Sequence, residues 1–335
     1  MNAPGWWSNP SSRPGWQARV LGPLSLAWRA GALLRRLTAR ARAGEVPVLC
    51  IGNLTAGGAG KTPMVAALMQ RLIARGVNVH VVSRGHGGAT RGPHRVDAMR
   101  HEAREVGDEP LMLAALGTVW VSRDRAAGVR AATAEGAEIV LLDDGLQNPH
   151  VAKDTAIVMV DAVDGFGNGR LIPAGPLREP IRRGLARADL VVLVGNAPDR
   201  QAAIARWPEL ERAPLLGAER QPLQTGLPLA GEPVIAFAGI ARPEKFFDTL
   251  REMGADVRAT HAFPDHHRYR PRLFRRLLAE ARGSDAMLVT TEKDAVRLPP
   301  EMRREVVTVQ IRLEPEDWAP LDALLDTLLA SDGVA

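Results

Sequence analysis

The stretch from Val46 to Pro63, Val-Pro-Val-Leu-Cys-Ile-Gly-Asn-Leu-Thr-Ala-Gly-Gly-Ala-Gly-Lys-Thr-Pro, constrains the fold of this 335-residue chain more than any other. Val46 to Ile51 is an apolar run of the right length for a buried parallel strand. Thr55, Ala56, Gly57, Gly58, Ala59 and Gly60 then make a small-residue turn that ends in Lys61 and Thr62. Val65, Leu68, Met69, Leu72 and Ile73 follow at helical spacing, and Gly76 stops them. Strand, glycine turn, Lys-Thr and helix together form the context of a phosphate-binding P-loop. Backbone N–H groups curl around a polyphosphate there, and the helix N-terminus adds partial positive charge.

In this reading residues 55–62 bind a nucleoside triphosphate, Lys61 reaches its β- and γ-phosphates, and the Thr62 hydroxyl ligates Mg²⁺. Thr55 stands where the strict eight-residue pattern has its first glycine. The chain has only four lysines among 43 basic residues, yet one of them is here. A compact ammonium suits this position better than a planar guanidinium.

Glu138-Ile-Val-Leu-Leu-Asp143-Asp144-Gly145 is an apolar strand ending in acidic residues, the arrangement that holds Mg²⁺ through a carboxylate. Gln147 and Asn148 extend it. Val77 to Ser83 is a further strand, ending in a basic, glycine-rich loop that begins at Arg84. Such a loop lies on the ligand side of an open α/β sheet. Asp108 and Glu109 open an apolar helix, where two carboxylates also complement the helix dipole. The proline- and glycine-rich loop 169–180 contains Arg178, which is suited to clamp a phosphate bidentately.

Residues 1–44 hold seven arginines, four tryptophans and no acidic residue. Between Gln17 and Arg42, Leu21, Leu24, Trp28, Gly31, Leu34 and Leu37 recur at steps of three and four, with Arg29, Arg36 and Arg40 on another face. That is a basic amphipathic helix suited to an anionic bilayer surface. Arg29 interrupts a stretch already too short to span. Gly22-Pro23 should start or kink the helix. A transit peptide or a helix packed on its own domain are the competing readings.

A net charge of +5 agrees with an anionic partner. No nucleic-acid module accompanies it, and nucleic acid is not expected as the partner. The single cysteine, Cys50, excludes a disulfide framework.

The expected fold is α/β. A P-loop NTPase-like parallel-sheet domain (45–215) follows the membrane-associating segment (1–44). A linker (216–232), a second, smaller α/β domain (233–313) and a C-terminal helix (314–335) complete the chain. The second unit contains Phe263-Pro-Asp265-His266-His267 and Thr291-Glu292-Lys293-Asp294-Ala295. Val306–Leu313 reads as its final strand. A monomer is expected.

Taken in order, the Lys-Thr loop, Ser83-Arg84-Gly85, Gly107-Asp108-Glu109-Pro110, Asp143-Asp144-Gly145-Leu146-Gln147, Pro173 to Glu179 and the two motifs of the second unit resemble the tetraacyldisaccharide 4′-kinases of lipid A biosynthesis. The resemblance runs from about residue 17 to 329. It implies transfer of the γ-phosphate of ATP, with Mg²⁺, to the 4′-hydroxyl of a tetraacylated glucosamine disaccharide 1-phosphate. The implied place is the cytoplasmic face of a bacterial inner membrane, and the implied fold has two domains joined by a strand-pair hinge. It implies Asp108 as general base, His266 as the residue that orients it, and Asp143, Asp144 and Gln147 on the Mg²⁺ side. Arg84, Glu109 and Arg178 are assigned to substrate. Asn148 stands where that family often has histidine. A membrane-associated P-loop switch or motor ATPase is the alternative; the asparagine and spacer of a guanine-binding Asn-Lys-x-Asp motif are missing around Lys293.

Overall fold

In the computed structural model, residues 4–39, 41, 44–223 and 228–330 are described. Arg40, Arg42, residues 224–227 of the expected linker and residues 331–335 of the expected C-terminal segment lie outside them.

Two sheets organise the described residues. The larger contains β1 (Val48–Gly52), β2 (Val79–Ser83), β3 (His94–Arg95), β4 (Thr118–Val121), β5 (Ile139–Asp143), β6 (Thr155–Asp161), β7 (Leu190–Val194), β8 (Leu215–Pro222) and β13 (Ile311–Pro315). Their order is β13-β8-β7-β6-β1-β5-β2-β4-β3, parallel except for the antiparallel pairs at either edge. β1, β2, β5, β6 and β7 are buried along their whole length. Their near-continuous Val/Leu/Ile content is what a parallel strand covered on both faces requires. The smaller sheet, β10-β9-β11-β12, is parallel throughout and is built from β9 (Pro233–Ala238), β10 (Asp256–Ala262), β11 (Met287–Thr291) and β12 (Val307–Val309).

Helices from both ends of the chain pack around this frame. α1 (Trp16–Val20) and α2 (Gly22–Thr38) break at Leu21, where Pro23 sits in the first turn of α2 and its missing N–H costs nothing. α3 (Lys61–Ala74) buries Met64, Val65, Leu68, Met69 and Leu72 on the larger sheet. The helix Ala319–Ala330 packs Leu321, Leu325 and Leu328 into the same core, and Arg71 and Arg75 of α3 clamp its Asp322.

The region after residue 215 differs from the sequence expectation. The start of the expected linker is β8, hydrogen-bonded into the larger sheet. The expected single strand 306–313 is two strands: β12 joins the smaller sheet and β13 leaves it to pair with β8. The alternation of apolar and polar residues continues from Thr308 through Arg312, so the pattern does not show the change of sheet at Gln310. The chain therefore enters and leaves the smaller unit through two antiparallel strands, with Leu223 N–H bonded to the Gln310 carbonyl at their end.

Candidate active site

β1 delivers the chain into the glycine turn, and Gly60, at φ +83°, makes the left-handed step into α3. Asn53 braces the turn, donating to the Thr55 hydroxyl (3.4 Å) and the Gly57 carbonyl (3.2 Å). The loop around residue 176 lies against it: Ala56 N–H donates to the Pro176 carbonyl (2.7 Å) and Arg178 N–H to the Leu54 carbonyl (2.8 Å). Gly57 and Gly58 remain exposed, while Lys61 and Thr62 occupy the first turn of α3.

The acidic end of β5 faces this turn. Asp144 adopts a left-handed backbone (φ +52°). Its Oδ1 lies 3.8 Å from Lys61 Nζ, and Arg178 Nη1 donates to both its oxygens (2.8 and 3.0 Å). Burial pushes the Asp144 carboxyl up, but Lys61 and Arg178 outweigh it and hold it below its ordinary value. Gln147 Nε2 donates to the Asn53 carbonyl (2.9 Å) and to Glu179 (3.1 Å), tying the β5 turn to the glycine turn. Asp143 points inward. Its Oδ2 accepts from Ser83 (3.0 Å), and its Oδ1 is buried with no hydrogen-bond partner among the described residues. Burial, then Glu109 and Asp144, push this carboxyl up to about 7. An orphaned buried carboxylate oxygen next to the Thr62 turn is a donor set that fits a divalent cation. No group of three or more metal-ligating side chains occurs among the described residues. Mg²⁺ usually takes one or two carboxylates and completes its shell with waters and phosphates.

Asp108 heads the helix Asp108–Ala114 and is 3% exposed. The loop after β2 presses on it from behind: a Cβ at Gly107 would come within 2.7 Å of the His86 carbonyl, and one at Gly88 within 2.7 Å of Gly107 N. The smaller unit covers its front. His266 Nδ1 lies 3.0 Å from Asp108 Oδ2, and Arg297 donates to the same oxygen through Nε (3.0 Å) and Nη2. Lys293 sits 3.3 Å from Glu109 and 3.9 Å from Asp108. Burial raises the Asp108 carboxyl, yet the bond to His266 and the charges of Lys293 and Arg297 hold it well below the usual carboxylate range.

His266 is itself fixed in a left-handed conformation (φ +59°), with its N–H on the Gly239 carbonyl (3.1 Å). Fully buried Asp294 accepts from Gly239 N–H, Tyr269, Thr291 and Arg297, and so anchors both partners of Asp108. His267 instead stacks on Phe263, within the core of the smaller unit.

The predicted residues therefore form two groups, Lys61/Asp143/Asp144/Gln147/Arg178 and Asp108/Glu109/His266. Arg178 pairs with Asp144, and Glu109 with Lys293. Arg84 stays exposed at the end of β2. Asn148 turns its side chain to the His150 N–H (2.8 Å). Sequence reading assigned no role to Arg297, which lies in the turn after the helix Glu292–Ala295, three residues beyond its partner Asp294.

A second cluster joins the units. Asp161, at the end of β6, pairs with Arg220 (3.1 Å) and with Lys245 of the smaller unit (3.8 Å), and Arg242 pairs with Asp164. α2 meets the site loop through Ser25 on the Leu171 carbonyl (2.8 Å) and Trp28 Nε1 on the Arg178 carbonyl (3.1 Å). Leu24, Leu26, Leu33, Leu34 and Leu37 of α2 are exposed. An open groove of about 220 Å³, lined by Ser25, Leu26, Arg29, Arg170 and Leu171, separates α2 from that loop. No helix among the described residues is long and apolar enough to cross a membrane.

Residues 17–330 match the family model described as tetraacyldisaccharide-1-P 4′-kinase. The chain is 53% identical over 329 residues to the tetraacyldisaccharide 4′-kinase of Jannaschia sp., covering 98% of this chain and 99% of that one. It is 50% identical over 333 residues to the enzyme of that name from Rhodospirillum centenum, covering 98% and 97%. Among solved structures, LpxK from Aquifex aeolicus in complex with ATP superposes with a TM-score of 0.73 at 25% identity, covering 93% of this chain and 99% of that one.

Proposed function

The chain belongs to the tetraacyldisaccharide-1-phosphate 4′-kinase family, and from that premise we propose how its residues move the γ-phosphate of ATP to the 4′-hydroxyl of a tetraacylated disaccharide 1-phosphate. The reaction is phosphotransfer to an alcohol. The full-length likeness to kinases of that name sets aside the switch ATPase.

The backbone of residues 55–62 cradles the triphosphate, and Lys61 neutralises charge on its β- and γ-phosphates. A magnesium ion fits the donors Thr62, Asp143, Asp144 and Gln147, and when bound supplies charge neutralisation on the phosphate oxygens. Arg178, fixed on Asp144, brings a second positive charge to the same place. Asp108 receives the proton of the attacking hydroxyl. Its low basicity suits a loose phosphoryl-transfer transition state, in which that proton becomes acidic only late, as the new O–P bond forms. His266 orients the carboxylate from the smaller unit, so closing the two units excludes water and with it unproductive ATP hydrolysis. Arg84 and Glu109 line the acceptor side.

The substrate is acylated, and α2 supports a membrane role. Its leucines face outward while its other side grips the site loop through Ser25 and Trp28. Residues 1–44 lie in the surface of the inner membrane, on the cytoplasmic face where ATP is available. The monomer is the working unit in this proposal.

The observation that carries this reading is the meeting of Asp108 and His266 from different units. Transfer from γ-labelled ATP to the tetraacylated acceptor in detergent micelles tests it. The wild-type chain should label the lipid, and Asp108→Ala should label it about 10²–10⁴-fold more slowly. Undiminished transfer by the variant discards Asp108 as base; ATP hydrolysis with no labelled lipid discards the kinase reading.

A further inference from the structure

We infer that Arg297 is a positioning residue for the transfer step: it locks one oxygen of Asp108 and leaves the other free to take the proton of the acceptor hydroxyl. The inference rests on the reading of Asp108 as base and adds a residue to it.

The guanidinium of Arg297 is used on every side. Nε and Nη2 meet Asp108 Oδ2, and Nη1 donates to the Gly239 carbonyl (2.7 Å) and to Asp294 Oδ1 (2.9 Å). Its side chain is only 5% exposed. A planar fork pinned at its far end by Asp294 has one orientation available to it, which a flexible ammonium would not reproduce. Every hydrogen bond to the Asp108 carboxylate from the smaller unit falls on Oδ2. Oδ1 has no hydrogen-bond partner among the described residues.

The charged groups facing Asp108 come from four segments. Asp265 and His266 lie in the turn after β10, and Lys293, Asp294 and Arg297 in the segment after β11. Glu109 is on its own helix, and His86 packs its ring on His266 from the loop after β2. Among the cations, Lys293 is the more distant and is shared with Glu109 and Asp265. Arg297 is the cation in direct contact. Without it, burial acts on Asp108 against His266 and a divided Lys293 alone, and the carboxyl rises. The carboxylate also loses the fork that aims it, and a displacement of about 1 Å is enough to cost about 10²-fold in rate.

The test is steady-state lipid phosphorylation near neutral pH, with kcat and the KM for ATP resolved, for wild type, Arg297→Met, Arg297→Lys, Asp108→Ala and the double variant Asp108→Ala/Arg297→Met. Arg297→Met should lower kcat by about 10–100-fold with the KM for ATP nearly unchanged, and should add no further loss to Asp108→Ala, because it acts through that carboxylate. Arg297→Lys restores the charge without the fork, so it should recover only part of the rate. If Arg297→Met proves unfolded by denaturant titration, the lysine variant decides: a wild-type rate there overturns the inference. A wild-type kcat in a folded Arg297→Met, or a loss that multiplies with that of Asp108→Ala, also overturns it. Full activity in Asp108→Ala overturns the reading of the base itself.

Discussion

His266 Nδ1 and Asp108 Oδ2 are 3.0 Å apart, although 158 residues separate them in the chain and they hang from different sheets. Asp108 is set on the larger unit by the tight approach of Gly88 to Gly107, and His266 on the smaller by its left-handed backbone and the Gly239 carbonyl. Neither unit alone holds the pair. Contact between the units is what assembles the pair, and in the proposed mechanism catalytic competence depends on that contact.

Replacing Lys61 by methionine removes a charge at the β/γ-phosphate position and leaves Asp144 to Arg178 alone. Loss of one preorganised cationic clamp costs about 10²–10³-fold in kcat. Steady-state kinetics should show that loss, while the fold, read by circular dichroism, stays intact.

Asp161 gathers Arg220 from β8 and Lys245 from the smaller unit. Burial raises its carboxyl, but Arg220, Lys245, the Asp164 N–H and Arg242 hold it below its ordinary value. A lowered folded-state value stabilises the fold above the unfolded-state pKa of about 3.9, and that contribution is lost as pH falls through the lowered value. Asp161→Asn should therefore be less stable than wild type at pH 7, by about 1–3 kcal/mol. Removing one partner of a fully buried pair costs about 3–5 kcal/mol, and exposure of Arg220 and Lys245 reduces this. Urea titrations at pH 7 and below pH 4 should show the gap narrowing in acid.

In the proposed membrane role the outward leucines of α2 bear on lipid and hardly on folding. Changing Leu33, Leu34 and Leu37 together to glutamine should alter unfolding free energy by less than about 0.5 kcal/mol per site, since none is packed. Partition onto anionic vesicles should fall by more than about tenfold, because each buried leucine contributes about 1.5–3 kcal/mol. Co-sedimentation with vesicles, at low and high salt, reads this directly.

Asp294 is buried with four sets of partners. Asp294→Ala leaves the Gly239 N–H and the Tyr269 hydroxyl without their acceptor in the core and takes from Arg297 one of its two carboxylates, and should destabilise by about 3–5 kcal/mol. Thermal unfolding should register it as a large drop in Tm.

Much of the larger sheet could be read from the chain because its central strands are short, mostly apolar runs, broken in β2 only by His80. β1, β2 and β5 lie where the sequence predicts strands. The phosphate turn, with Lys61 and Thr62, was legible for a local reason: its function lies in consecutive residues. Asp108, His266 and their meeting were legible only through resemblance, because hydropathy cannot say which loops face one another across a cleft. Arg297 was not legible. Its role depends on a helical turn after β11 that orients it toward another unit, and one arginine among so many carries no signal of its own. β13 was hidden similarly, as a short alternating strand whose partner, β8, lies some ninety residues earlier.

The most direct test of the account is a double-mutant cycle on lipid phosphorylation with Asp108→Ala, His266→Ala and both together. If His266 acts by orienting Asp108, each single change should lower kcat, and the double variant should be no slower than Asp108→Ala alone. If the two losses multiply instead, His266 acts on its own and the two residues do not form the catalytic unit proposed here.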